Sequence, residues 1–238
     1  MAHDDIFERL FPDGHEIGVE DGIATGTAIL NGSTATVIGV VDATPLGVDA
    51  ALRLAGTVLD AVERGDRAPI LVVIDSGSQR MRRRDELLGL NEYLAHLAKA
   101  LRLAELRGHP TIGILHGHSA AGAFIATALA TRMLLGLPGA NPTVMDLPSV
   151  ARVTTLPLKE IEALAEDTPV FAPGLDNMVA VGAVHRVLDA DSPLDGQVAA
   201  LLSEMPQRDD RDRLGAERGG RPKAATIAAA VVEAARGR

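Results

Sequence analysis

Apolar positions in this chain fall into two patterns, short continuous runs and stripes at helical spacing. Residues 70–74 and 111–115 are continuous runs, as expected of strands covered on both faces. Between them Leu87, Leu90, Leu94, Leu97, Leu101 and Ala104 recur at three- and four-residue steps, predicting one amphipathic helix. Asp85 and Glu86 fall in its first turn, where they favour the helix dipole, and Gly108 and Pro110 end it. Upstream, residues 28–41 read as a hairpin turning at Asn31-Gly32, both of which tolerate positive φ. Residues 45–63 read as a helix with Leu52, Ala55, Leu59 and Val62 on its apolar face. Downstream, the pattern predicts a helix over 120–132 and short strands over 133–137 and 143–145. Helices are expected over 148–153, 158–166, 174–183 and 195–205, with an extended segment over 184–188.

Residues 207–223 are nearly all charged or Gly and read as a mobile linker. Residues 224–236 return to a helix with Ile227, Val231 and Ala235 on a weak stripe, suited to packing on a partner or on the domain's rim. The expected organisation is a domain over 1–205, a charged flexible linker over 206–223 and a C-terminal helix over 224–238. Alternating strands and helices led by a hairpin predict an α/β fold with a largely parallel sheet. The hairpin start and a second β-α turn near mid-chain also fit a crotonase-like spiral of ββα units.

Two strand exits carry the candidate chemistry. The run ending at Leu115 passes into His116-Gly117-His118-Ser119-Ala120-Ala121-Gly122-Ala123-Phe124, small residues that open an apolar helix. Such a junction leaves backbone N–H groups free at a helix start, where they can hold an anion. The run ending at Ile74 passes into Asp75-Ser76-Gly77-Ser78-Gln79 in the same way. Two such turns predict two sets of backbone donors facing one ligand. Gly122 and Ala123 are the candidate donors beside Ser119, with Ser76, Gly77, Ser78, Gln79, Gly117 and His118 lining the pocket. An oxyanion held there gains about 2.7–4 kcal/mol per donor. The basic run Arg80, Arg82, Arg83 and Arg84 is either a solvated loop or a clamp for phosphate or carboxylate.

Composition narrows the classes. A net charge of −9 argues against a nucleic-acid partner. The chain has no Cys, which removes disulfides and thiolate chemistry. The N-terminal residues are acidic rather than basic-then-apolar, and the longest apolar region is broken by His116, His118 and Arg132. The expected setting is therefore the cytoplasm, with no membrane span. His116 and His118 share a strand face, but no third ligand at suitable spacing accompanies them, so no metal is expected.

A rival reading uses side chains. Gly117-His118-Ser119-Ala120-Ala121 comes within one residue of the nucleophile elbow, and Asp176 and His185 follow in hydrolase order. Those two lie nine residues apart, whereas triad partners come from separate strand ends.

Taken together, residues 75–79, Arg84-Asp85-Glu86-Leu87-Leu88-Gly89-Leu90-Asn91-Glu92-Tyr93-Leu94-Ala95, residues 117–124, Ala151-Arg152-Val153-Thr154 and Gly174-Leu175-Asp176-Asn177 resemble the gamma subunit of biotin-independent malonate decarboxylase. The resemblance runs from about Thr27 to about Leu202. It implies a crotonase-superfamily carboxyltransferase fold paired with a homologous beta subunit. The pair would decarboxylate a malonyl thioester on an acyl carrier protein whose prosthetic arm resembles CoA, and a separate alpha subunit would perform the transferase step. The resemblance implies no directly bound cofactor. This sequence departs from the family pattern at His118, where Lys is expected, and over Val144-Met145-Asp146-Leu147-Pro148-Ser149. The second departure motivates a further alternative, a non-catalytic assembly subunit.

Overall fold

A computed structural model describes residues 2–168 and 172–237. Helix α1 (His3–Leu10) is followed by the meander β1 (His15–Glu20), β2 (Ile23–Leu30) and β3 (Ser33–Leu46). Then come α2 (Val48–Arg64), β4 (Ile70–Gln79), α3 (Arg83–Leu87), α4 (Leu90–Leu106) and β5 (Thr111–Leu115). The middle of the chain forms β6 (His118–Ala120), α5 (Ala121–Ala126), β7 (Met133–Gly136), β8 (Asn141–Thr143), α6 (Leu147–Thr154) and α7 (Leu158–Asp167). It ends with α8 (Leu175–Ala180), β9 (Arg186–Val187), α9 (Leu194–Ser203), α10 (Arg211–Glu217) and α11 (Ala224–Arg236).

Among the described residues the main sheet has seven strands in the order β1-β2-β3-β4-β5-β7-β9, and β6 pairs with β8 in a separate small ladder. The first two pairings are antiparallel and the rest of the main sheet is parallel. The turn at Asn31-Gly32 takes φ of 48° and 75°, as the hairpin required. The parallel strands are covered on both sides. Ile70, Val72 and Ile74 pack with α2 and α4, while Leu71 and Val73 pack with α1 and the Leu194–Val198 face of α9. This is the α/β layering that the continuous apolar runs predicted.

Several local expectations are corrected. Strand β1 was not foreseen: it is a largely exposed edge strand whose alternation is limited to Ile17 and Val19, with only Ile17 partly buried among its residues. Helix α2 starts at Val48, and Pro45 belongs to β3. Its buried stripe is Ala51, Leu54, Ala55, Val58 and Ala61, so Leu52, expected inside, is half exposed. The single helix expected from Leu87 is broken by Gly89 at φ 80°, leaving Leu87 76 % exposed on α3. The helix expected over 120–132 ends at Ala126.

The charged segment 207–223, expected to be a mobile linker, carries α10 instead. Arg211 donates to Leu129 O and Thr131 O, each at 2.9 Å. Arg218 donates to Val179 O, Val184 O and His185 O at 2.7–2.8 Å. These guanidinium groups donate to backbone carbonyls of the turns they lie against, so the segment docks through hydrogen bonds rather than apolar burial. Helix α11 has no buried residue, and Ile227, Val231 and Val232 face outward.

Candidate active site

The two strand exits are joined rung by rung. In the β4–β5 ladder Ile74 pairs with Leu115. Beyond it, the Asp75 carboxylate accepts from His118 N at 2.9 Å and the Ser76 and Ser119 hydroxyls meet at 2.9 Å. The Gln79 side-chain oxygen accepts from Gly122 N at 2.8 Å. Each of these contacts spans 43 residues, whereas the ladder pairs positions 41 apart. His116 and Gly117, at the end of β5, take up the two-residue difference. A Cβ on Gly117 would stand 2.2 Å from Asp75 Oδ1, so only Gly allows this close approach.

The first strand exit is not the helix-start turn that was expected. Residues 75–79 continue β4, and Thr44 pairs with Ser76 and Leu46 with Gln79 across an irregular stretch of β3. Asp42 and Ala43 take φ of 57° and 51° there, so the bulge re-aims the end of β3. Gly77 lies against Ala43 O and Pro45 on that side rather than facing residues 117–123. Ser78 donates to Gln79 O. Ser76, Gln79, Gly117, His118, Ser119 and Gly122 are thus brought together, with Ala123 buried behind them in α5. Gly77 and Ser78 belong to the β3 side of the exit.

The basic run is largely committed internally. Arg80 grips Asp85 through two contacts of 3.0 and 2.8 Å, and Asp85 also accepts from Val48 N. Arg84 grips Asp49 at 2.6 and 3.0 Å. The Arg80 guanidinium holds the Asp85 carboxyl down to about 2. Asp85, read from sequence as a dipole partner, is therefore a buried ionic anchor between β4 and α2.

Of the buried histidines His109, His116 and His185, the last two have perturbed titration. His116 is 7 % exposed, and neither ring nitrogen has a hydrogen-bond partner among the described residues. His185 Nδ1 accepts from Leu134 N at 3.1 Å, so its neutral ring carries the proton on Nε2, 3.3 Å from Asp210. Burial pushes both imidazoles below their ordinary value. The unfolded chain therefore binds more protons than the folded one below about pH 6.5, so stability is full above that pH and declines as pH falls. Melting temperature measured from about pH 7.5 to pH 5 should drop. His185→Gln, which keeps one acceptor and one donor in place, should make the decline shallower; an unchanged decline would remove His185 from the account.

The family model described as malonate decarboxylase gamma subunit matches residues 41–235. The chain belongs to this family. A curated relative from Malonomonas rubra, the malonyl-S-ACP:biotin-protein carboxyltransferase MADD, is 27 % identical and aligns with 91 % of this chain and 84 % of its own length. A Pseudomonas malonate decarboxylase hetero-tetramer in complex with coenzyme A contains a chain 25 % identical to this one. Its TM-score is 0.78, with 93 % of this chain and 96 % of that chain covered. The Pseudomonas MdcD-MdcE hetero-dimer gives 0.75 at 25 % identity, covering 96 % of both chains. Transcarboxylase 12S, at 18 % identity and a TM-score of 0.68 over 85 % of this chain and 40 % of that chain, shares the fold, which is the crotonase-like carboxyltransferase type.

For a malonate decarboxylase gamma subunit the serine-hydrolase rival has no support. The Ser119 hydroxyl is held by Ser76, Asp176 is exposed on α8, and His185 is engaged by Leu134 and Asp210. Among the described residues no hydrogen bond links the three. Sequence reasoning missed Asp75 as a brace for His118 and Gln79 as the partner of Gly122 N. A constant offset between two strand exits would have pointed to both. The divergent segment 144–149 leads into α6, where Asp146 caps the helix by accepting from Ser149 N at 2.8 Å. No helix among the described residues is long and apolar enough to cross a membrane.

Proposed function

We propose that this gamma-subunit chain acts with a homologous beta subunit to convert a malonyl thioester on an acyl carrier protein into the acetyl thioester and CO₂. One observation carries the reading: the in-register brace that sets the start of α5 beside the β4 exit. In the reaction the bond from the α-carbon to the carboxylate breaks, its electron pair moves into the thioester as an enolate, and water then protonates the α-carbon. The enolate oxygen is the charge to be stabilised, and fixed backbone donors in a site closed to water do this with little reorganisation.

The N–H groups of Gly122 and Ala123 are the proposed oxyanion donors. Gln79 Oε1, which now accepts from Gly122 N, occupies the place of that oxygen and gives way to it. Ser119 holds the backbone in position through its bond to Ser76, and Gly117 and His118 form the rim. Gly77 and Ser78 support the exit from the β3 side. Apolar Leu94 and Phe124 nearby favour release of neutral CO₂ over retention of a carboxylate. The chain itself holds no metal or cofactor in this scheme; the carrier's CoA-like prosthetic arm presents the substrate, and an alpha subunit exchanges the acyl group in the cytoplasm.

The test is co-expression with the beta subunit, followed by CO₂ release from malonyl carrier protein. Release that requires both chains supports the proposal. A stable pair that releases nothing from malonyl thioester rejects this substrate. Release by this chain alone that disappears in Ser119→Ala restores the hydrolase.

The curated relative's activity favours one second reading, transfer of the carboxyl group from malonyl carrier protein to a biotin protein. Both routes pass through the same enolate. Labelled malonyl carrier protein separates them, because transfer leaves the label on an added biotin carrier domain and decarboxylation leaves it in CO₂.

A further inference from the structure

A cavity of about 680 Å³ opens between α4, the turn after α5 and the segment leading into α10. Its size lies within the range of small-molecule sites. Ala98, Ile125, Leu129 and Ala130 supply an apolar floor, and Arg102, Arg132, Arg208 and Arg211 stand around it with Glu105 and Asp209. Four arginines against two carboxylates leave two positive charges in this one cavity of a chain whose net charge is −9.

The two carboxylates are already engaged. Glu105 accepts from Arg102 at 2.6 Å, Arg132 at 2.9 Å and the Thr111 hydroxyl at 2.8 Å. Asp209 is gripped by Arg211 at 2.9 Å. Among the described residues Arg208 has no carboxylate partner, and Arg102 makes a single contact on an exposed face. We propose that this cavity binds a small organic anion, its carboxylate or phosphate between Arg102 and Arg208 and its apolar portion on Ile125, Leu129 and Ala98. Planar guanidinium forks suit both oxyanions. Arg211 also holds Leu129 O and Thr131 O, so an occupant braces the segment that follows α5. None of its lining residues belongs to 75–79 or 117–123, and binding there does not depend on which thioester is turned over.

The experiment is calorimetric titration of the full-length chain, alone and in complex with the beta subunit, using butyrate and butyl phosphate with butanol as the uncharged control. Saturable binding of either anion and not of butanol is expected, and the two titrations show which headgroup is taken. Arg208→Glu, at a side chain with no carboxylate partner among the described residues, should weaken binding about tenfold or more, as should filling the floor with Ala98→Phe. Both variants should melt as wild type does in the absence of anion. No saturable binding up to about 10 mM, equal binding of butanol, or affinity unchanged in both variants would overturn the proposal.

Discussion

In a complex with its beta subunit, the Gly122→Val variant should release CO₂ from malonyl carrier protein about 10²–10³-fold more slowly than wild type, the cost of losing one oxyanion donor. A Cβ at this position stands 3.0 Å from Leu94 Cδ1 and 3.1 Å from Gln79 Oε1. A branched side chain therefore intrudes where the oxygen must approach Gly122 N. The loss should appear in kcat rather than in assembly, because the contacts involved lie between β4, α4 and α5 of this chain. Ser119→Ala in the same complex should lose far less, since among the described residues the Ser119 hydroxyl bonds only Ser76 and positions the backbone without donating to the oxyanion. Single-turnover release with the purified pair is the measurement. Wild-type rates in Gly122→Val would remove the donor role, and a collapse in Ser119→Ala with Gly122→Val intact would put side-chain chemistry in its place.

Asp85→Ala should destabilise the chain by about 1.5–3 kcal/mol, as expected when a buried, charge-assisted hydrogen-bond partner is removed while the other stays partly solvated. Its carboxylate is 1 % exposed, accepts twice from Arg80 and also takes Val48 N at the start of α2. The variant leaves Arg80, whose side chain is 26 % exposed, with only a 3.6 Å contact to Asp49 and leaves the Val48 N–H without its acceptor. Urea unfolding measures the effect, and a loss below about 1 kcal/mol would mean that Asp49 and water replace Asp85 fully. The same anchor has a pH signature. Its folded pKa of about 2 lies below the ordinary carboxylate value of 3.8, so its contribution is present above about pH 4 and is lost as pH falls toward 2. Asp85→Asn should remove that part of the acid transition.

Much of this architecture was legible along the chain because burial imposes a period. The continuous runs at 70–74 and 111–115 became β4 and β5, and the stripe through Leu90, Leu94, Leu97, Leu101 and Ala104 became the buried face of α4. Asn31-Gly32 marked the hairpin because positive φ is cheap at both positions. Segments stabilised by polar contacts were not legible in the same way. The 207–223 segment is nearly all charged or Gly, with little beyond Leu214 to bury, yet its arginines hold carbonyls some thirty to eighty positions away. Leu52 and Leu87 fit a helical period and still face outward, because the period does not say which flank of a helix meets the sheet.

The candidate site divides along the same line. Composition and local pattern alone located the small-residue exits at residues 75–79 and 117–123, since close backbone approach calls for Gly, Ala and Ser wherever the chain folds. Only the tertiary structure decided how they meet: Asp75, Ser76 and Gln79 engage His118, Ser119 and Gly122 one after another. That matching depends on two residues inserted after β5 and on a bulge in β3, both of which act through pairing between distant segments. Periodicity carries information about which face of an element is buried; the register between elements is set by hydrogen bonds that form only once the sheet is assembled.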